Sequence, residues 1–415
     1  MRISCFSPTI SLLALLATGA KGAETGFSQP ITCQTAAASS VSADASATGP
    51  IDGSQFAVRP GSFWRGRAGE SNWWWEARFD RLRPIGAILQ VVGDHDFVLK
   101  HGPARYVWLA SADGRTWSQL EETSCETETR AFRIHRLKRT RSAVALRLQI
   151  ESHEAPVLRE VQFFESPKAR VAFPPWAVVV NTTHDKALPG HGQEFIPLAR
   201  SCAGWAEFQA QQICLETFDE TFLAIEPRPL CAFLSGSFKD WCEVNRSEWR
   251  GTAGVLRRKR LPIWASCGGA QGLAILAETG VEKPWDCPHC RDPRRPLLPI
   301  YTHIGHTSVR PCGDYDGCTF ERGPHEVKVL KSDPAFAGLP SSFRVMESHC
   351  GQIEWAPKGW ELIVTAGEGT RTKIQCLRLK DRPIYAAQFH IEMAGTPEVS
   401  RQIMGNFLEL ARSAR

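Results

Sequence analysis

The stretch Trp264-Ala265-Ser266-Cys267-Gly268-Gly269-Ala270-Gln271-Gly272 constrains this chain more than any other. An apolar run ends in a cysteine, and the residues after it are small. A cysteine on a tight strand-to-helix turn needs such neighbours, because the backbone there is strained and a bulky side chain beside it would crowd the sulfur. Gly268, Gly269 and Ala270 leave that room. Well downstream, Gln388-Phe389-His390-Ile391-Glu392 reads as a second apolar strand ending in His-x-Glu. A thiol needs a base to take its proton, and an imidazole needs a carboxylate to fix its tautomer and stabilise its charged form. Cys267, His390 and Glu392 are spaced to form such a set. Taken alone, Cys267 would read as a small buried hydrophobe, the commonest fate of a cysteine. The pairing with a downstream strand and His-x-Glu favours the catalytic reading.

Together these residues resemble the class I glutamine amidotransferases, whose elbow has the form G-x-C-x-G-x-Q and whose later motif is F-H-x-E. The resemblance runs from about Pro174 to the C-terminus. It takes in an opening strand, Trp176 to Asn181, the segment Cys231 to Ser237, the stretch Phe336 to Pro340 leading to Ser348-His349, and a closing helix, Pro397 to Ala411. In that helix Val399, Ile403, Met404, Phe407, Leu408 and Leu410 recur at helical spacing. The resemblance implies a flavodoxin-like α/β fold in which Cys267 attacks a γ-carboxamide to give a γ-glutamyl thioester. His390 would shuttle the proton and Glu392 would orient it. The Gly268 N–H and an N–H from Ser235-Gly236-Ser237 would hold the oxyanion, with Gly236 and Ser237 supplying the loop, and Gln271 would help hold the glutamine. No cofactor is required by such chemistry. Two residues depart from the family pattern: Ala265 replaces the elbow glycine, and Ser237 replaces the second glycine of the oxyanion loop. The second departure bears on oxyanion geometry and substrate choice, so the hydrolytic chemistry is better supported than the substrate.

The N-terminal half has a different texture. Met1-Arg2 precedes the apolar core Ile10 to Ala17 and small residues through Ala23, the layout of a cleaved secretory signal peptide over residues 1–23. No other stretch approaches the roughly 18 apolar residues of a membrane span, so an exported chain with no transmembrane anchor is expected. From Thr32 to Ser166 short alternating runs are broken by Gly, Pro, Asn and Asp, which predicts an antiparallel β-sandwich. Ile51-Asp52-Gly53, Phe63-Trp64, Trp74-Trp75-Glu76, Ala104 to Val107, Ser111 to Trp117 and Ala145 to Leu148 resemble, in their order, a discoidin or coagulation-factor C-type domain. That family is a jelly roll similar to galactose-binding domains, and the resemblance implies a glycan, lipid or protein surface as ligand. Trp75 and Trp117 read as core residues, and Trp64 or Trp73 as the better candidates for an exposed platform. The expected layout is a sandwich over 30–168, a linker of Ser166 to Pro175, and an amidotransferase-like domain over 172–415 with a cysteine-rich insertion at 284–320.

Charge excludes little beyond nucleic acid. With 49 Lys and Arg against 44 Asp and Glu the chain is only mildly basic, and the runs Arg136 to Arg141 and Arg257 to Arg260 read as solvated surface. The chain has 14 cysteines, which in an exported protein points to disulfides whose pairing sequence does not reveal. Cys287-Pro288-His289-Cys290 with Cys312 and Cys318 leaves three readings open: two disulfides, a four-thiolate structural zinc site, or a redox dithiol. Two function classes follow. One is an exported amidohydrolase acting on a glutamine or γ-glutamyl amide, with the sandwich tethering it to a glycan or envelope surface. The other is a non-catalytic carbohydrate- or surface-binding protein whose amidotransferase-like domain has lost its chemistry. Retention of Cys, His and Glu together favours the first. No ATP-binding synthetase module is legible in the chain, so hydrolysis of a glutaminyl, γ-glutamyl-peptide or peptidoglycan-like amide is expected in place of ammonia transfer.

Overall fold

The computed structural model describes residues 26–53, 60–93, 101–102, 105–125, 130–152, 154–183, 191–237, 241, 244, 246–258, 260–280, 300–305 and 317–414. The proposed signal peptide lies outside them. No helix among them is long and apolar enough to cross a membrane.

The N-terminal part is an antiparallel sandwich built from β1 (Thr35–Ala38), β2 (Trp64–Arg65), β3 (Asn72–Val92), β4 (Arg105–Ser111), β5 (Ser118–Cys125), β6 (Phe132–Glu151) and β7 (Val157–Phe164). Two strands, β3 and β6, are long enough to serve both layers. The first half of β3 pairs with β1 and with the end of β6, which carries β4 and β5 beyond it. The second half of β3 pairs with the start of β6 and with β7, which carries β2. The layers part where the β3–β6 register shifts between Arg78 and Arg83; Asp80, Arg81 and Leu82 are exposed there, and such a bulge bends the strand from one layer to the other. Alternation then turns Trp73, Trp75 and Ala77 of one half toward Ile88 and Val92 of the other. Edge-to-face pairs tie the layers across the core: Trp75 to Trp108 at 6.2 Å, Trp108 to Phe163 at 5.7 Å and Phe79 to Phe163 at 5.4 Å between centroids.

The tryptophan expectations need correction here. Trp64 and Trp73 are buried, at 0% and 1% exposure, together with Trp75. Their indole N–H groups donate to backbone oxygens of Ser40, Arg67 and Ala47, which is how a tryptophan enters a core without a polar cost. Trp117, expected in the core, is half-buried, and with Trp74 it stacks on the Arg147 guanidinium, at 4.2 and 4.7 Å.

The second layer turns its outer face to the rest of the chain. Leu89, Val91, Phe132 and Phe164 belong to one apolar cluster with Trp176, Val178 and Val180, and Phe132 meets Trp176 and Phe173 edge-on. Polar contacts reinforce this: the Ala131 N–H donates to Gln211, and Arg136 pairs with Glu226 while donating to the carbonyls of Pro167 and Ala169. The proline-rich linker is clamped between the two units.

The C-terminal part is an α/β unit. Its strands are β8 (Trp176–Asn181), β9 (Gln209–Cys214), β10 (Cys231–Leu234), β11 (Ile263–Ser266), β12 (Tyr301–His303), β13 (Glu321–Val329), β14 (Ser342–His349), β15 (Gly351–Ile353), β16 (Trp360–Ala366), β17 (Ile374–Leu379) and β18 (Ile384–Ala387). The main sheet runs β14-β13-β16-β17-β18-β11-β10-β8-β9. From β18 to β9 it is parallel, and from β18 outward to β14 it is antiparallel. The runs WAVVVN, CAFL, IWAS and IYAA are buried along their length, as expected where helices cover both faces of a parallel sheet. Helix α3 (Gly268–Thr279) covers one face through Leu273 and Leu276, and α2 (Arg250–Arg258) adds Val255. The other face is covered by α1 (Phe195–Ser201) and α4 (Pro397–Ser413), whose Ile403, Met404, Phe407 and Leu408 are buried as the spacing predicts; Val399 and Leu410 are half-buried beside them.

Candidate active site

The carboxyl ends of β10, β11 and β18 lie side by side, where open α/β sheets place their ligands. Cys267 follows β11 directly and is the N-cap of α3, with φ +47° and ψ −113°. Such a conformation is strained for any residue with a Cβ. It is held by the Cys267 N–H donating to Ala387 O at 2.8 Å and by the Gln271 N–H donating to Cys267 O at 2.9 Å. Each glycine after the cysteine answers to a particular neighbour. A Cβ on Gly268 would stand 2.3 Å from Ser237 N, one on Gly269 2.6 Å from Ser235 O, and one on Gly272 2.2 Å from the Trp249 ring. Ala265 lies inside β11 between Leu234 and Ala386, its methyl packed in the core, so this departure from the elbow pattern costs no space at the sulfur.

The loop after β10 brings its backbone against the first turn of α3. Gly236 O accepts from Thr182 Oγ1 at 2.7 Å and from His191 Nε2 at 3.3 Å. In a trans peptide the following N–H points the opposite way, which turns the Ser237 N–H from Thr182 toward Gly268. The Ser237 backbone thereby lies against Gly268 at the amino end of α3, directly after Cys267, and a helix N-terminus adds favourable potential for an anion. The serine side chain does not alter this, because the donor is backbone. Gly236 leaves space for the imidazole: a Cβ there would approach His390 Cε1 at 3.3 Å and Cys267 Cβ at 3.7 Å.

His390 follows β18, with its N–H anchored to Met346 O at 2.8 Å. Its Nδ1 hydrogen-bonds Glu392 Oε1 at 2.6 Å, and Ser266 Oγ donates to Glu392 Oε2 at 3.0 Å. That leaves Nε2 buried and without a hydrogen bond of ordinary geometry, while the Cys267 sulfur is near enough to bias its protonation. Burial acts against a charged imidazole here, but Glu392 and the thiol outweigh it and hold His390 well above the usual histidine range. For Glu392 burial acts upward, and the imidazolium with its hydrogen bonds prevails to hold the carboxyl below its ordinary value.

A cavity of about 280 Å³ opens above the sulfur, with Gln271, Tyr301, Ser348, His349 and Gly351 among its walls. Cys267 Sγ lies 3.9 Å from Ser348 O. Gln271 commits both amide protons to protein, to Gly351 O at 2.9 Å and Gln388 Oε1 at 3.1 Å, while its oxygen accepts from Trp241 Nε1 at 3.0 Å. It braces α3 against the Gly351 turn and meets the cavity as a wall. His349 shares that anchor through Nδ1, 2.9 Å from Gly351 O, and turns Nε2 to Glu347 Oε2 at 2.9 Å and Glu321 Oε2 at 3.5 Å. Nδ1 thus donates to a backbone carbonyl, and Nε2 lies close to two carboxylates without a hydrogen bond of ordinary geometry. Burial opposes a charged ring, yet Glu347 and, more weakly, Cys267 and Glu321 raise His349 above the ordinary value.

Thr182, His191, Glu321 and Glu347 were not singled out as site residues by sequence. The Ser348-His349 pair was a signal for Glu321 and Glu347 alone, which face His349. Of the cysteine-rich insertion, Cys287, Cys290 and Cys312 lie outside the described residues and only Cys318 is within them; among described residues no group of three His, Cys, Asp or Glu side chains is placed to hold a metal. The expected disulfides do not involve Cys33, Cys125, Cys202 or Cys376, which are free thiols; burial first, then Glu160, pushes Cys33 up to about 12.

Residues 217–410 match the family model "Glutamine amidotransferase class-I". A glutamine-hydrolyzing GMP synthase subunit of Thermoplasma acidophilum is 37% identical over 95 residues, 23% of this chain and 46% of that protein. Its counterpart from Pyrococcus abyssi is 33% identical over 85 residues, 20% and 43% respectively. The chain thus spans less than half the length of these relatives. The crystal structure of a GMP synthase subunit from Thermoplasma acidophilum superposes over 59% of this chain and 96% of its own, with 20% identity and a TM-score of 0.41. The N-terminal part superposes on the galactose complex of a Clostridium perfringens family 32 carbohydrate-binding module, over 32% of this chain and 93% of the module, with 14% identity and a TM-score of 0.27. Behind its β-sandwich, the chain therefore carries a class I glutamine amidotransferase domain.

Proposed function

We propose that the chain is an exported amidohydrolase that cleaves a glutamine or γ-glutamyl amide through Cys267, brought to a glycan or envelope surface by its sandwich. What supports this reading most is the company of Cys267: a strained elbow, a loop backbone that reaches Gly268 beside it, and a buried imidazole backed by a carboxylate. The Cys267 thiolate adds to the γ-carbonyl carbon, and the resulting oxyanion is received by the Ser237 and Gly268 N–H groups. Protonated His390 gives its proton to the amine, the C–N bond breaks, and ammonia or an amine leaves a γ-glutamyl thioester. His390 then takes a proton from water, which attacks the thioester and releases the carboxylic acid and the thiolate. Glu392 keeps the Nδ1 proton in place and stabilises the imidazolium throughout.

Export rests on the leader-like residues 1–23, and a glycan ligand on the order of discoidin-like motifs through the sandwich. The test is release of ammonia or amine from glutaminyl and γ-glutamyl substrates. Cys267→Ala should reduce the rate by about 10³-fold or more; equal rates in the two proteins would refute the mechanism.

A further inference from the structure

Two side chains at the cavity mouth take no part in this chemistry. Phe320, 47% exposed, and Arg322 both line the cavity that contains Cys267, and the Arg322 guanidinium lies 5.3 Å from the centroid of the Phe320 ring. The residue between them, Glu321, is buried and points the other way: its carboxylate accepts the N–H groups of Arg371 and Thr372 and faces His349. Period-2 alternation accordingly sets Phe320 and Arg322 on the same side, toward the cavity. The neighbouring strand fixes how far Arg322 is from the chemistry. Arg322 is the ladder partner of Ser348, whose carbonyl oxygen is 3.9 Å from Cys267 Sγ, and Cα atoms so opposed are about 4.5–5.5 Å apart. An arginine side chain anchored there is long enough to reach the space over the sulfur.

The charges around the cavity single out this residue. Among its described lining residues only Arg322 and His349 can carry positive charge. His349 is already neutralised by Glu347 and Glu321, whereas Arg322 pairs with no carboxylate among the described residues. Stacking on an aromatic ring holds a guanidinium in one plane without consuming its N–H donors, and its fork matches a carboxylate.

We propose that Arg322 binds a free carboxylate of the substrate while Cys267 attacks its amide, so that the site selects anionic γ-glutamyl compounds over neutral carboxamides. This assignment rests on Cys267 being the nucleophile, and the experiment separates the two. Wild type, Arg322→Gln and Arg322→Lys are labelled with a glutamine-mimicking diazoketone that bears a free α-carboxylate, with its methyl ester, and with iodoacetamide, and the rate of adduct formation at Cys267 is followed by peptide mass spectrometry. Arg322→Gln should slow the free acid by about ten-fold or more, leave the ester and iodoacetamide unchanged, and so abolish the preference for the acid; Arg322→Lys, a point charge without the fork, should fall between. An unchanged acid-to-ester ratio in Arg322→Gln would overturn the assignment and leave the nucleophile standing. Labelling of wild-type Cys267 by iodoacetamide but by neither diazoketone would overturn the assignment together with the glutamine-shaped pocket, and labelling by none of the three would overturn the nucleophile.

Discussion

The sandwich and the amidotransferase domain both carry conspicuous residues, and they use them in opposite ways. In the sandwich the tryptophans that stand out in the sequence, Trp64, Trp73 and Trp75, are buried and hydrogen-bonded inward. In the α/β domain the residues that stand out, Cys267, Gly268, His390 and Glu392, gather around one sulfur, and that sulfur lines a cavity. A large aromatic side chain is valuable to a core because it buries much apolar area, so its prominence says little about ligands. A cysteine at positive φ is costly, and a fold retains it where something else requires it. Local oddity points to chemistry more reliably than bulk does.

The contrast can be broken at the glycine beside the sulfur, where the largest effect is expected. Gly268→Ala places a Cβ 2.3 Å from Ser237 N, which must push the loop away and separate the two N–H donors. Loss of such a donor costs about 10²–10³ in kcat, and thermal melting should change far less than turnover; an active Gly268→Ala enzyme would mean the oxyanion is held elsewhere.

Glu392→Gln should lower turnover by about 10²-fold, the low end of general acid–base contributions, and it sharpens the comparison through pH. His390 is raised in the folded protein, so its contribution to stability is complete below the ordinary histidine value of about 6.5 and fades as pH rises through the raised value. Glu392 is lowered, so its contribution is present above the ordinary carboxylate value of about 4.3 and fades as pH falls through the lowered one. The stability gap between wild type and Glu392→Gln should be widest between those two ordinary values and narrow in alkali. Chemical denaturation across pH measures it, and a flat gap would contradict the pairing.

The sandwich supplies the smallest catalytic effect. Trp75→Ala should cost about 3–5 kcal/mol of stability, while Trp117→Ala, which loses one face of the Arg147 stack, should cost about 1 kcal/mol or less. Neither should alter chemistry at Cys267. Denaturation midpoints decide the first pair of values, and a Trp117 variant as unstable as Trp75→Ala would restore Trp117 to the core.

What sequence made legible was chiefly what is local. The elbow, the His-x-Glu pair and the closing helix each announce themselves within a few residues, because strain, tautomer and helical spacing are set over that range. Thr182 and His191 escaped because they reach Gly236 only through the placement of β8 beside β10. Glu321 comes to His349 only as its partner across the β13–β14 ladder. In β3 the run Trp73-Trp74-Trp75 sets aromatic side chains on both faces, so alternation alone did not say which face was core. Gln271 shows the converse, a motif residue whose amide the fold has already engaged.

The central claim is that Cys267 is a nucleophile in a glutamine-shaped pocket. Covalent labelling of the protein with a glutamine-mimicking diazoketone, read by peptide mass spectrometry with Cys267→Ala as control, tests it in a single event that needs no turnover. An adduct confined to Cys267 and absent from the variant is the predicted result. Reaction of Cys267 with a general thiol reagent but not with the diazoketone would contradict the pocket, and reaction with neither would contradict the nucleophile.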